Sequence, residues 1–149
     1  MTSPHPPEVL ADVIGFALNI TRRLDTRRFE DRTIIELTPL EQLVIHYIGR
    51  FPSASLHDVA DGVSLQLSNA SAAIKRLVDL GLVQRERDVA DRRRIVLSLT
   101  PKASENLERV RQEWRRALSG ADIDADDLDA AFRVLGAIAS WFDRGSANS

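Results

Sequence analysis

Arg92, Arg93 and Arg94 follow one another directly behind Asp88-Val89-Ala90-Asp91, so three guanidinium groups and two carboxylates share one short polar stretch. Guanidinium forks beside carboxylates form charge-assisted hydrogen bonds, and they bind planar anions or phosphates when left free. The stretch lies inside a wider asymmetry. From Lys75 to Arg116 the chain holds 12 Lys or Arg against 7 Asp or Glu, a balance of +5. The remainder holds 8 against 15, a balance of −7, and the two sum to the formal −2. Salt screens exposed charges beyond about 10 Å, so a local basic patch governs a close encounter whatever the overall sum. Two readings fit this segregation: a surface for a polyanion, or a solvated helix face.

Other chemistries find less support. Cysteine is absent, which removes disulfides, thiolate metal sites and thiol redox sensing. His5, His46 and His57 are far apart in sequence, which argues against a shared metal site. Asp122, Asp124 and Asp126 imitate the start of a calcium loop, but Asp127 stands where that loop needs glycine and Arg133 where it needs glutamate. They read instead as caps of a following helix. No glycine-rich phosphate loop or nucleophile elbow appears, so neither an enzyme nor a cofactor is expected. The start Met1-Thr2-Ser3-Pro4-His5-Pro6-Pro7 lacks the basic and apolar runs of a signal peptide, and no apolar stretch nears the roughly 20 residues of a membrane span. A cytoplasmic protein is expected.

The elements that must position the arginines follow from periodicity. Leu10, Val13, Ile14, Ala17, Ile20 and Leu24 recur at helical spacing, with Arg22, Arg23, Arg27 and Arg28 beyond. Thr38-Pro39-Leu40-Glu41 reads as a capping box with proline at the first helical position, opening a helix with Leu43, Val44, Tyr47 and Ile48 inward. Ser55 to Asp58 opens a short helix carrying Leu56, Val59, Ala60 and Val63. A turn at Ser64 and Leu65 leads to a helix starting near Ser68 or Asn69, which Gly81 terminates. Two short helices joined by a tight turn make a helix-turn-helix. Leu82–Arg87 and Arg94–Leu99 are strand candidates around the polar tip, so a β-hairpin hangs directly on that motif as a wing. Thr100-Pro101 caps a further helix with Leu107, Val110, Trp114 and Leu118 as its stripe, and a last helix carries Leu128, Phe132, Leu135, Ile138 and Phe142.

On these residues the segment Leu37 to Thr100 resembles the MarR family of bacterial transcription regulators. The resemblance rests on Leu80-Gly81-Leu82-Val83-Gln84-Arg85, then Asp88, then Asp91-Arg92-Arg93, then the exit from Val96 to Thr100, with Thr38-Pro39 and Gln42 at the entry. It implies a mainly α fold: a single domain over residues 1–149, with a winged helix-turn-helix core over about 37–100. Helices over about 8–33 and 102–144 would interlock across a two-fold axis as the dimerisation element. The long amphipathic first and last helices support this independently, carrying more apolar surface than one small domain uses, and a two-fold dimer suits a pseudo-palindromic duplex site.

The resemblance also implies a DNA site. The helix over 68–80 would enter the major groove, with Gln66, Ser68, Asn69, Ser71 and Ala72 in its leading half and Lys75 and Arg76 further along. Asn and Gln pair with adenine, and Ser reaches base edges or phosphate. Simple helix capping is the competing role for Ser68 and Asn69. Family members often carry an arginine where this chain has Ala72, and a polar residue where it has Leu67, which shifts base reading towards Asn69 and a thymine methyl contact. Arg92 and Arg93 at the tip suit a narrow minor groove, Asp91 would brace an arginine, and Arg94 would meet phosphate or its own domain. The resemblance further implies a small phenolic or lipophilic effector, for which Phe16, Phe29, Tyr47 and Trp114 are the candidate lining; ordinary packing is the alternative. The expected protein is a homodimeric, ligand-responsive repressor of transcription. The competing readings are a winged-helix protein-interaction module that has lost DNA binding, and a metal-responsive regulator.

Overall fold

The computed structural model describes residues 7–25 and 28–146. The proline-rich start with His5, Arg27 and the tail after Ser146 lie outside these. The order is α1 (Pro7–Asp25), α2 (Pro39–Arg50), α3 (Leu56–Gly62), α4 (Leu67–Asp79), β1 (Val83–Arg87), β2 (Ile95–Leu99), α5 (Pro101–Leu118) and α6 (Ala125–Ser146).

The helix starts obey local chemistry. The Thr38 hydroxyl accepts the Glu41 N–H while the Glu41 carboxylate accepts the Thr38 N–H, and Ser55 and Asp58 repeat that reciprocal pair at α3. Thr100 caps α5 through Ala103 N–H, and Asp124 accepts the Asp126 N–H at the head of α6. One boundary differs from the sequence expectation. The first helix does not run to residue 33, because Asp31 takes the Thr33 N–H at 2.8 Å and closes a turn in which Ile34 N–H reaches the Asp31 carbonyl at 3.3 Å. A short aspartate side chain competing for backbone donors, followed by β-branched residues, favours a turn over another helical turn.

Helices α3 and α4 end in the same way. At α4, Leu82 N–H bonds Leu77 C=O and Gly81 N–H bonds Val78 C=O; at α3, Leu65 N–H bonds Ala60 C=O and Ser64 N–H bonds Asp61 C=O. This is a Schellman ending, which puts its last residue in the left-handed region. Gly81 does so at φ +72° without strain, whereas Ser64 does so at φ +53° with a Cβ attached. Substitution at the two sites should therefore have opposite signs. Gly81→Ala is expected to destabilise by about 1–2 kcal/mol. Ser64→Gly should be neutral to stabilising by roughly 0.5 kcal/mol, backbone relief outweighing glycine's added unfolded-state entropy. Thermal melts of both variants check this, and a stabilised Gly81→Ala would refute it.

Strands β1 and β2 pair antiparallel with Val83 opposite Leu99, Arg85 opposite Leu97 and Arg87 opposite Ile95. Ala54 adds a single bridge to Leu97, so β2 is flanked on both edges at that point. The core sits where α2, α3, α4 and the hairpin base converge: Val44, Ile45, Ile48, Val59, Ile74, Leu77, Leu82, Val83 and Leu97 are all essentially buried. In α2, Ile45 occupies the inward place expected for Leu43, which is instead exposed.

Helices α1 and α6 are different. Phe16 and Leu18 on α1, and Leu128, Phe132, Leu135, Trp141 and Phe142 on α6, are all exposed large apolar side chains. The chain between α1 and α2 is held to α5 rather than to the wing. Asn106, buried at 4% exposure, grips Ile35 through both backbone groups, at 2.7 Å to its N–H and 3.1 Å to its carbonyl. Glu113 accepts the Glu30 N–H at 3.0 Å, and Arg109 donates to the Thr33 hydroxyl.

Candidate nucleic-acid interface

Helix α4 has one face in the core, through Ala70, Ala73, Ile74 and Leu77, and the opposite face in solvent. Gln66, Ser68, Asn69, Ala72, Lys75 and Arg76 are exposed and Ser71 is half-buried. The helix begins earlier than the sequence suggests. Gln66 is the N-cap and makes no side-chain cap bond, so Ser68 and Asn69 stand inside the first turn and neither caps it. The first-turn N–H groups are thus left without a capping side chain, and such free amides favour anions. Lys75 is paired with Asp79 at 3.0 Å on the surface.

The wing is organised by its two aspartates through the backbone. Asp88 accepts the N–H groups of Ala90 and Asp91, and Asp91 accepts the Arg93 N–H at 3.0 Å. The sequence expectation gave Asp91 an arginine side chain to brace; it braces the arginine's main chain instead. The loop closes with Arg94 N–H on the Asp91 carbonyl and Asp88 N–H on the Arg94 carbonyl, while Arg87 donates to the Arg92 carbonyl at 3.0 Å. The guanidinium groups of Arg92 and Arg93 point to no partner among the described residues and are exposed at the tip.

Arg94 is different in kind. Its guanidinium pairs with Asp58, the carboxylate that also completes the α3 capping box. Burial raises the Asp58 pKa, but the hydrogen bonds from Ser55 and then Arg94 outweigh it and hold the carboxyl below the ordinary aspartate range. That contribution is present above the unfolded pKa and lost as pH falls through the lower folded one. Both partners are nearly half exposed, so it is worth well under about 1 kcal/mol of stability. Its consequence is geometric: one ion pair ties the wing to the start of the helix-turn-helix.

Residues that share a rung of an antiparallel pair share a face, so Arg85 and Arg87 lie on the side of Leu97 and Ile95. Arg85, Leu56, Ser71, Ile74, Ile95 and Leu97 surround a recess of about 220 Å³ between α4 and the hairpin. A hydroxyl of α4 and a cation of the wing therefore border one groove. Sequence reasoning does not single out Arg85 and Arg87, although their i, i+2 spacing along the strand places both on one face. It also over-weights α5, whose cations are largely engaged within that helix: Arg111 and Arg115 pair with Glu108, and Arg116 with Glu113.

The four aromatic candidates for an effector site are distributed as follows. Phe29 and Trp114 meet at a small polar recess of about 100 Å³ with Glu30 and Glu113. Trp114 also walls a larger apolar recess of about 400 Å³ with Thr21, Leu24, Gln42, Leu43 and His46. Desolvation, with the Arg111 charge second, holds the His46 imidazole below its ordinary pKa. Tyr47 lies elsewhere. Its ring stacks at 4.7 Å on Phe51 and fills the space beside Gly62, where any Cβ would collide with it. Phe16 is exposed on α1. Among the described residues, no three His, Asp or Glu side chains gather as a metal site, and no helix is long and apolar enough to cross a membrane.

A helix-turn-helix with a paired hairpin wing against its second helix defines a winged helix-turn-helix protein. Residues 35–94, which span α2 to the wing tip, match the model of the MarR family. The chain as a whole has the fold of the solved MarR-like structures, and its central segment is similar to that family. The solved structure of MarR superposes with a TM-score of 0.64 at 20% identity, covering 100% of this chain and 99% of that one. FabT of Streptococcus pneumoniae, solved in complex with DNA, gives 0.56 at 20% identity over 92% and 94%. The PcaV transcriptional regulator of Streptomyces coelicolor, solved with its natural ligand, gives 0.53 at 22% identity over 94% and 98%. No curated protein sequence matches the chain.

Proposed function

We propose that this chain is a cytoplasmic, homodimeric transcription regulator that binds a pseudo-palindromic duplex, represses from it and is released by a small aromatic or lipophilic effector. The observation that carries DNA binding is the shared groove: the uncapped, exposed first turns of α4 on one side, and a hairpin with exposed Arg85, Arg92 and Arg93 on the other. In this reading Gln66, Ser68, Asn69, Ser71 and Ala72 face base edges, Lys75 and Arg76 face phosphates, and Arg92 and Arg93 enter the minor groove. Asp91 and Arg94 act indirectly, one by shaping the tip and the other by anchoring the wing to Asp58.

The dimer is supported by the apolar residues that α1 and α6 leave in solvent. The effector is supported by the apolar recess beside Trp114, which lies between α1, α2 and α5. Its position matters because α5 also holds the α1–α2 connection through Asn106, so a ligand there touches both the flanking helices and the winged domain. PcaV, solved with a natural ligand, and FabT, solved with DNA, are related folds in which each kind of partner occurs.

Selection of bound duplexes from a random pool tests the reading. It should return an inverted repeat whose half-sites lie about one helical turn apart, with affinity falling steeply as salt rises. A purified protein that retains no duplex even in dilute buffer would leave the protein-interaction reading in its place.

A further inference from the structure

Leu67 is a 43% exposed leucine at the first position of α4. Large apolar side chains elsewhere on this helix go inward: Ile74 and Leu77 are buried. Side chains on a helix tilt towards its N-terminus, so a first-turn side chain projects past the helix end, towards whatever that end meets. Gln66 makes no cap bond over it. Leu67 also stands one turn from Ser71, on the flank of α4 that borders the groove shared with Arg85 and Ile95.

The polar side chains of the leading half are short apart from Gln66. Ser68, Asn69 and Ser71 carry their functional groups close to the backbone, and Ala72 at the centre of the exposed face carries none. A leading half without long side chains can approach a groove floor closely. Of the groups displayed in the major groove, one is apolar, the C5-methyl of thymine. Leucine has no donor or acceptor with which to read the others.

Resting on the DNA-binding reading above, we infer that Leu67 is a specificity-determining residue that selects thymine in each half-site by apolar contact with its C5-methyl group. Burying a methyl against a leucine removes apolar surface of both from water, and no other base presents that surface to the groove. A cytosine or a purine there would face Leu67 with a polar edge whose water is displaced without replacement.

The test uses the full-length protein and the duplex recovered by selection, remade with deoxyuridine for thymine at one symmetric pair of positions at a time. Deoxyuridine keeps the pairing and deletes only the methyl. For at least one pair, wild-type affinity should fall about 10–30-fold, as expected when two methyl groups, one in each half-site, no longer leave water on binding. Leu67→Ala should bind the thymine duplex as weakly as wild type binds that deoxyuridine duplex, and show no further loss on deoxyuridine. Leu67→Met should retain the thymine preference. Because Leu67 is exposed, the alanine variant should melt as wild type does, which separates a missing methyl interaction from a damaged helix. Indifference of wild type to deoxyuridine at every thymine overturns the inference while leaving DNA binding intact. So do additive losses from the variant and the base change. Failure to bind any duplex overturns both readings at once.

Discussion

Replacing Arg92 and Arg93 together by alanine is expected to weaken binding to every duplex, specific or not, by about 10–100-fold near physiological salt. The slope of log affinity against log salt should become shallower by roughly 0.9 for each phosphate the two side chains neutralise. The wing keeps its shape without them. Asp88 and Asp91 hold backbone N–H groups and Arg87 holds the Arg92 carbonyl, and none of these bonds uses the Arg92 or Arg93 side chain. Truncating the two guanidinium groups therefore leaves the tip built and the fold unaltered, so the weakening reports their engagement with the nucleic acid. Arg94→Ala should behave differently. It breaks the pair with Asp58, as Asp58→Asn does, and combining the two should cost little more than either alone, since both remove one interaction. Equal affinity of wild type and the Arg92/Arg93 double variant across a salt titration would remove the wing from the interface.

This division of labour among three adjacent arginines marks where sequence reading reaches its limit. Local chemistry is legible: the Thr38, Ser55 and Thr100 caps, the left-handed Gly81 and the hairpin pairing of β1 with β2 depend on residues close in sequence, and each forms as its sequence dictates. The expected alternation of Ile95, Leu97 and Leu99 does not hold, since Val96 is buried and Ile95 exposed. Relations across long separations are not legible. Nothing near Arg94 announces that its partner is Asp58, 36 residues earlier, and nothing near Asn106 announces that it will hold Ile35, 71 residues away. Tyr47 and Trp114 read alike as aromatic pocket candidates, yet packing against Gly62 occupies one while the other walls an open recess. Leu43 and His46, which line that recess, do not stand out because helical periodicity assigns a side chain to a face without saying whether that face is covered.

The apolar faces of α1 and α6 bear most directly on assembly. Phe132 is 80% exposed in the single chain and Phe16 68%, and neither belongs to the core formed by α2, α3, α4 and the wing. Covering a phenylalanine side chain contributes about 1.5–3 kcal/mol, and a two-fold interface counts every residue twice. Phe132→Glu is therefore expected to shift the protein from twice its 16.6 kDa chain mass to the single-chain mass in sedimentation or light scattering. The winged domain does not draw on α6 for its core, so its caps and hairpin should survive, and helical content should remain high. The effect on DNA should then separate by substrate. A duplex carrying one half-site should be bound about as before. A duplex carrying both should be bound roughly 100-fold or more weakly, because the second half-site is no longer engaged at high effective concentration by a tethered partner. A variant that stays double in mass, or a wild-type protein that sediments as a single chain, would show that these faces are covered by something other than a second copy.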